Sequence, residues 1–102
     1  MRRIMVRYKV KPDQADTNTK LVEAVYDELD RSRPPGLRYA TFRLDDGLTF
    51  VHLAMTETDD GSNPLSGIEA FGRFQEGIAE RCEEAPAAAE VHEVGSFRLF
   101  GG

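Results

Sequence analysis

"LRYATFRLDDGLTFVHLAMTE", residues 37 to 57, holds two runs of pleat-favouring residues around Asp45-Asp46-Gly47, and its reading decides the fold. Aspartate-glycine between such runs signals a hairpin, because glycine accepts the positive φ that a tight reversal needs. Two registers fit. A two-residue turn at Asp46-Gly47 sets Asp45 opposite Leu48, Arg43 opposite Phe50, Thr41 opposite His52 and Tyr39 opposite Ala54. A three-residue loop over residues 45 to 47 instead sets Leu44 against Leu48 and Ala40 against His52. The slip exchanges the neighbours of every side chain. We take the first register, which gives His52, the polar intruder in "TFVHLAM" (49 to 55), Thr41 as partner and Tyr39 and Arg43 on its diagonals.

Upstream, residues 3 to 11 alternate, with Ile4, Val6, Tyr8 and Val10 on one face and Met5, Arg7, Lys9 and Lys11 on the other, so they predict a strand that Pro12 ends. In "NTKLVEAVYDELDRS" (18 to 32), Leu21, Val22, Val25 and Leu29 recur at helical spacing, and "RPPG" (33 to 36) stops that helix. Downstream, "TDDGSNPLSG" (58 to 67) reads as a loop. Ser66 and Glu69 have the spacing of a capping box, and Asn63-Pro64 offers a second helix start. Helix two then carries Ile68, Phe71, Phe74, Ile78 and Cys82 on one side, is weakened at Gly72 and Gly77, and stops at Pro86. The final strand is expected in "AEVHEVGSFRLF" (89 to 100), bent at Gly95.

The order βαββαβ predicts a single α+β domain over residues 1 to 102, ferredoxin-like, with a four-stranded antiparallel sheet and both helices on one face. Strands two and three are apolar on both parities. Ala40, Phe42, Leu44, Val51, Leu53 and Met55 form one class, and Leu37, Tyr39, Phe50 and Ala54 the other. Two helices cover one face only, so the reading is a homodimer packed through the open sheet face, a dimeric α/β barrel.

Composition removes several function classes. A net charge of −5 argues against nucleic acid, although Arg2, Arg3, Arg7, Lys9 and Lys11 crowd the first strand while Glu76, Glu80, Glu83 and Glu84 crowd the later helix. "GLTFVHL" (47 to 53) imitates an RNA-recognition motif, but Asp46, Leu48 and Leu53 stand where a base and stacking aromatics belong. No apolar run is long enough to cross a bilayer, and the charged opening "MRRIMVRYK" does not suit a signal peptide. Together with the single cysteine, Cys82, this makes a reducing cytoplasm the expected address, with no membrane partner. His52 and His92 without a patterned carboxylate do not make a metal site, and "TDDGSN" lacks a calcium loop's ligand spacing. It reads as a cover.

"YKVKPD" (8 to 13), "PPGLRYATFRLDD" (34 to 46), "FVHLAMTE" (50 to 57) and "FGRFQEGI" (71 to 78), in that order and spacing, resemble the dimeric α/β-barrel superfamily, in particular its antibiotic biosynthesis monooxygenase family. The resemblance implies small homodimers with a pocket between sheet and helices, some inserting oxygen without an added cofactor and others degrading haem. Haem-degrading relatives are expected to carry Asn, Trp and His where this chain has Val6, Thr56 and Phe71, which sets that subset aside. Of the Tyr, Trp, Asn and Arg expected around polycyclic phenols, Tyr and Arg candidates stand here.

The candidate catalytic residue is His52, whose side chain titrates near neutral pH. Tyr8, Tyr39, Thr41, Arg43, Phe71 and Phe74 are the candidate ligand-binding residues, for a small apolar or aromatic molecule. No cofactor and no metal are expected. Two functions stay open: a cofactor-independent monooxygenase-like protein acting on a small aromatic or polyketide-like molecule, or a non-catalytic dimeric binding domain in which His52 is a hydrogen-bonded core residue.

Overall fold

The structure is a computed structural model, and it describes residues 1–99. Strands β1 (Arg2–Val10), β2 (Leu37–Arg43), β3 (Thr49–Thr56) and β4 (Cys82–Glu90) form one antiparallel sheet in the order β2-β3-β1-β4. Helix α1 (Ala15–Ser32) lies between β1 and β2, and α2 (Glu69–Gln75) and α3 (Ile78–Arg81) lie between β3 and β4. This is the ferredoxin-like α+β arrangement that the element order predicts. Among the described residues, no helix is long and apolar enough to cross a membrane.

The β2–β3 register pairs Thr41 with His52, Arg43 with Phe50 and Tyr39 with Ala54, as in the first of the two registers. The turn that produces it is different. A two-residue type I′ turn would need positive φ at Asp46, and only Gly47 has it, at 72°. The loop instead spans residues 45 to 48: Gly47 N–H donates to Leu44 O at 2.9 Å, and Leu44 N–H to Thr49 O at 2.8 Å. Asp46 locks it by accepting from the N–H groups of Leu48 and Thr49 and from the Thr49 hydroxyl, which together hold its carboxyl down at about 2. At the far end Glu57 N–H donates to Gly36 O, and Gly36 has φ of 77° with Glu57 O too close to admit a Cβ.

Helix α1 presents Ala15, Asn18, Val22 and Val25 to the sheet. It ends on Arg33 at φ 44°, whose N–H returns to Leu29 O, and the two prolines that follow prevent continuation.

The second helical segment departs from the expected single helix. Asn63 accepts from Leu65 N–H at 3.0 Å and starts a short 3₁₀ turn, Pro64–Gly67, as Asn63-Pro64 suggested. The Ser66–Glu69 capping box is not formed: the Ser66 hydroxyl donates to Asn63 O. Helix α2 is capped from outside, by Glu28 of α1, whose carboxylate accepts from Glu69 N–H at 3.1 Å and Ala70 N–H at 2.9 Å. The chain then leaves helical geometry at Glu76 and turns through Gly77, φ 71°, so Gly77 rather than Pro86 breaks the helix. Ile68, Phe74 and Cys82 are nonetheless buried, so the apolar spacing read as one helix face is carried across the break.

The last strand is also displaced. It runs Cys82–Glu90, not 89 to 100, and includes Pro86. Lys9 pairs with Glu84 and Arg7 with Ala87, which leaves Ala85 and Pro86 opposite Tyr8 in a bulge where a missing N–H is tolerated. Residues 91 to 99 are not strand, and Phe100, the end of the expected one, lies outside the described residues.

The core joins Tyr8 and Val10 of β1, Val22 and Val25 of α1, Phe50 of β3 and Phe74 of α2. Strand pairing places Met5, Leu53 and Ala40 side by side on the opposite face of the sheet, with Arg7, Val51 and Phe42 in the next row. Among the described residues no helix covers that face, and Phe42 and Met5 are 47% and 37% exposed.

Candidate functional site

His52 points from the centre of β3 to the helical side and is 5% exposed. Its register neighbours there are Val6 on β1 and Thr41 on β2. Both ring nitrogens are engaged. Nε2 lies 2.8 Å from the Tyr8 hydroxyl, while Nδ1 lies 2.5 Å from the Tyr39 hydroxyl and 3.2 Å from Thr41 Oγ1. The chain of contacts extends both ways. Asn18 Nδ2 donates to the Tyr8 hydroxyl at 2.9 Å, Arg81 Nε donates to Asn18 Oδ1 at 3.2 Å, and Tyr26 meets Thr41 hydroxyl to hydroxyl at 2.8 Å.

Burial decides the charge states. Desolvation pushes the His52 imidazole down to about 4, so it is neutral at pH 7. The same cause pushes the Tyr26 phenol up to about 12 and the Tyr8 and Tyr39 phenols higher, with the Asn18 hydrogen bond offsetting only part of the effect on Tyr8. A site of neutral, mutually bonded groups results. Arg81, 8% exposed, is the one cation in this hydrogen-bond network among the described residues. It has no carboxylate within ion-pairing distance among the described residues and is held by carbonyls, donating to Glu76 O at 2.8 Å and to Phe74 O, with its guanidinium over the Phe74 ring. It thereby caps the C-terminal end of α2.

A cavity of about 300 Å³ lies between the sheet and the second helical segment. Ile4 and Val6 form its floor, Phe71, Phe74 and Ile78 its roof, and Tyr8, Tyr39 and His52 one end. Gly61 and Asn63 of the loop after β3, the expected cover, stand at its edge, with Arg2 and Gln75 also on the wall. The volume suits a small aromatic molecule, and the lining has the usual form of many apolar groups around few polar ones.

Of the candidate residues, the structure brings Tyr8, Tyr39, His52, Phe71 and Phe74 together on this cavity. Thr41 stands behind them, bonded to His52 and Tyr26. Arg43 does not join the cluster. Its guanidinium donates to Gly47 O and Thr19 Oγ1 and lies 3.7 Å from Asp16, tying the hairpin to α1. The sequence reading missed Asn18 and Arg81. Asn18 carried a signal, since it falls on the same helical stripe as Val22 and Val25 and is the polar member of an otherwise apolar face. Among the described residues no group of three or more His, Cys, Asp or Glu is placed to hold a metal ion. Cys82 is buried, and burial pushes its thiol up, away from nucleophile behaviour.

No family model matches the chain, and no curated protein does. Solved structures do match. A protein described as "Putative antibiotic biosynthesis monooxygenase from Nitrosomonas europaea" superposes with a TM-score of 0.75 at 16% identity, over 93% of this chain and 100% of its own. A crystal structure of an antibiotic biosynthesis monooxygenase gives a TM-score of 0.72 at 20% identity, over 93% of this chain and 100% of that one. A protein of unknown function, NE2512 from Nitrosomonas europaea, gives 0.71 at 12% identity, over 94% and 91%. The chain therefore has, along nearly its whole described length, the fold of the antibiotic biosynthesis monooxygenase-like proteins.

Proposed function

We propose that this chain binds a small aromatic or polyketide-like molecule in the cavity beside His52 and acts as a cofactor-independent monooxygenase of the antibiotic biosynthesis monooxygenase-like kind. The observation that carries the binding half is the apolar cavity of about 300 Å³ that closes on a histidine and two tyrosines. The fold likeness supports the oxygenase half. In that chemistry a CH₂ between aromatic rings becomes a carbonyl, one atom of O₂ entering the product and the other leaving as water. The protein's part is to hold the ring system between Val6 and Phe74 and to stabilise the negative charge that the ionised substrate carries on oxygen.

The test is incubation with anthrones and quinols in air and under argon, with wild type and His52→Ala. Protein-dependent, oxygen-dependent product from wild type alone supports the enzyme; equal decay with and without protein removes it. The second reading, a binding domain without chemistry, is favoured by the low basicity of His52, whose imidazole does not take a proton until about pH 4. It expects thermal stabilisation by the same compounds and no product.

The functional unit in either reading is a homodimer formed through the open sheet face. The row Met5, Leu53, Ala40 and the exposed Phe42 support it, as they give that face an apolar surface of the kind an obligate partner covers.

A further inference from the structure

The hydrogen bonds around His52 run in one direction, and Arg81 sets it. Arg81 has donors only, so the oxygen of the Asn18 amide must be the atom that faces it, and the Asn18 NH₂ must be the group that faces Tyr8. Tyr8 then accepts from Asn18. Its single hydroxyl hydrogen has one remaining partner, His52 Nε2. Nε2 is therefore the ring's acceptor, and the proton of the neutral imidazole sits on Nδ1.

The consequence reaches the cavity. Three contacts join His52 Nδ1, Tyr39 Oη, Thr41 Oγ1 and Tyr26 Oη. With Nδ1 protonated the ring nitrogen can only donate, so Tyr39 and Thr41 share its hydrogen as acceptors, the Thr41–Tyr26 contact uses one more, and the Tyr39 hydroxyl hydrogen is left to point outward. With the other tautomer there would be three hydrogens for three contacts, and none to spare. Tyr39 is the hydroxyl of this cluster that lines the cavity beside His52.

We propose that Arg81 and Asn18, both outside the cavity lining, are positioning residues that fix His52 as the Nδ1–H tautomer and so make the Tyr39 end of the cavity a hydrogen-bond donor. The occupant is then an aromatic molecule that presents an oxygen acceptor there, a ketone or quinone carbonyl or the oxyanion derived from it. This ligand half rests on the cavity being a binding site, as proposed above; the tautomer half does not.

The experiment measures ring nitrogen shifts of ¹⁵N-histidine-labelled, ligand-free protein in long-range proton–nitrogen correlation spectra at pH 7. Only His52 and His92 contribute. Wild type is expected to show a protonated Nδ1 and a bare Nε2 at His52. Asn18→Asp, which keeps the shape but accepts from Tyr8 instead of donating, is expected to reverse the two. A bare Nδ1 in wild type overturns the inference by itself, whether or not the variant folds, and an unreversed pattern in folded Asn18→Asp overturns the role of Asn18.

The ligand half is read with 1-tetralone and tetralin, which differ by one carbonyl. Wild type is expected to bind the ketone about three- to tenfold more tightly, the value of one hydrogen bond, and Asn18→Asp to lose that preference. Equal affinities would overturn the donor assignment. Failure of wild type to bind either would sink the binding-site reading and the ligand half with it, while leaving the nitrogen shifts to decide the tautomer.

Discussion

The Tyr8 hydroxyl stands 2.8 Å from His52 Nε2, with Tyr8 and His52 2% and 5% exposed, so neither group has water to turn to if the other is removed. Tyr8→Phe would strand His52 Nε2 and Asn18 Nδ2 together. The expected loss is about 3 kcal/mol of unfolding free energy, since each orphaned buried polar group costs about 1–3 kcal/mol. Tyr39→Phe, whose hydroxyl bonds only one end of His52, should lose less. Urea denaturation of the two variants beside wild type decides the order.

Stability should also fall in mild acid. The unfolded chain's imidazole takes a proton below about pH 6.5, whereas the folded one declines it until about 4. The contribution is therefore complete above pH 6.5, shrinks as pH descends and is exhausted below about 4, about 3 kcal/mol in all. The Tyr8 and Tyr39 phenols facing the ring stay neutral throughout, since burial raises both. Unfolding free energies at pH 7, 5.5 and 4 should drop more steeply for wild type than for His52→Gln; parallel curves would contradict the assignment.

Met5→Glu tests the open sheet face. Met5 lies between Leu53 and Ala89 in the pairing, and a carboxylate there would be buried by any second copy. Wild type is expected to sediment at twice its 11.4 kDa chain mass and the variant at the single mass, still folded by circular dichroism. A wild type that sediments as one chain at micromolar concentration refutes the dimer.

Two glycines at positive φ should respond differently to alanine. At Gly77 the added Cβ meets nothing nearer than the Arg81 guanidinium at 3.8 Å, so Gly77→Ala carries only the left-handed penalty of about 1 kcal/mol. At Gly36 it would collide with the Glu57 carbonyl as well, and the backbone must move. Gly36→Ala is expected to lower the melting temperature by several degrees more than Gly77→Ala.

The hairpin was legible from its two pleat-favouring runs around Asp45-Asp46-Gly47, and the register taken, with Thr41 opposite His52, is the observed one. Its turn was not, since Asp46 works through its carboxylate rather than through a left-handed backbone, and the letters Asp-Asp-Gly suit both. The last strand misled for a different reason. "CEEAPAAAE" has no β-branched or aromatic residue, and it becomes a strand because the free edge of β1 offers it partners. "VHEVGSF" has strand-like composition, yet Val94 and Phe97 are exposed and unpaired with the sheet. In the site, Tyr8 on β1 and Tyr39, Thr41 and His52 on the hairpin follow from strand parity taken together with that register, whereas Arg43 is drawn away to α1. Asn18 and Arg81 do not follow from it, because their contacts cross between elements far apart in sequence.

Helix α2 is only seven residues long and is fastened at its start by one carboxylate from α1, Glu28, and at its finish by one guanidinium, Arg81. Phe71 and Phe74, which roof the cavity, ride on it. The roof is thus a panel hung from two charged pins, and neither pin touches whatever lies beneath. Loosening the Glu28 pin by Glu28→Ala should first be felt as faster amide exchange at Glu69 and Ala70, with the sheet undisturbed. In this architecture the dimensions of the chamber are governed from its outer rim.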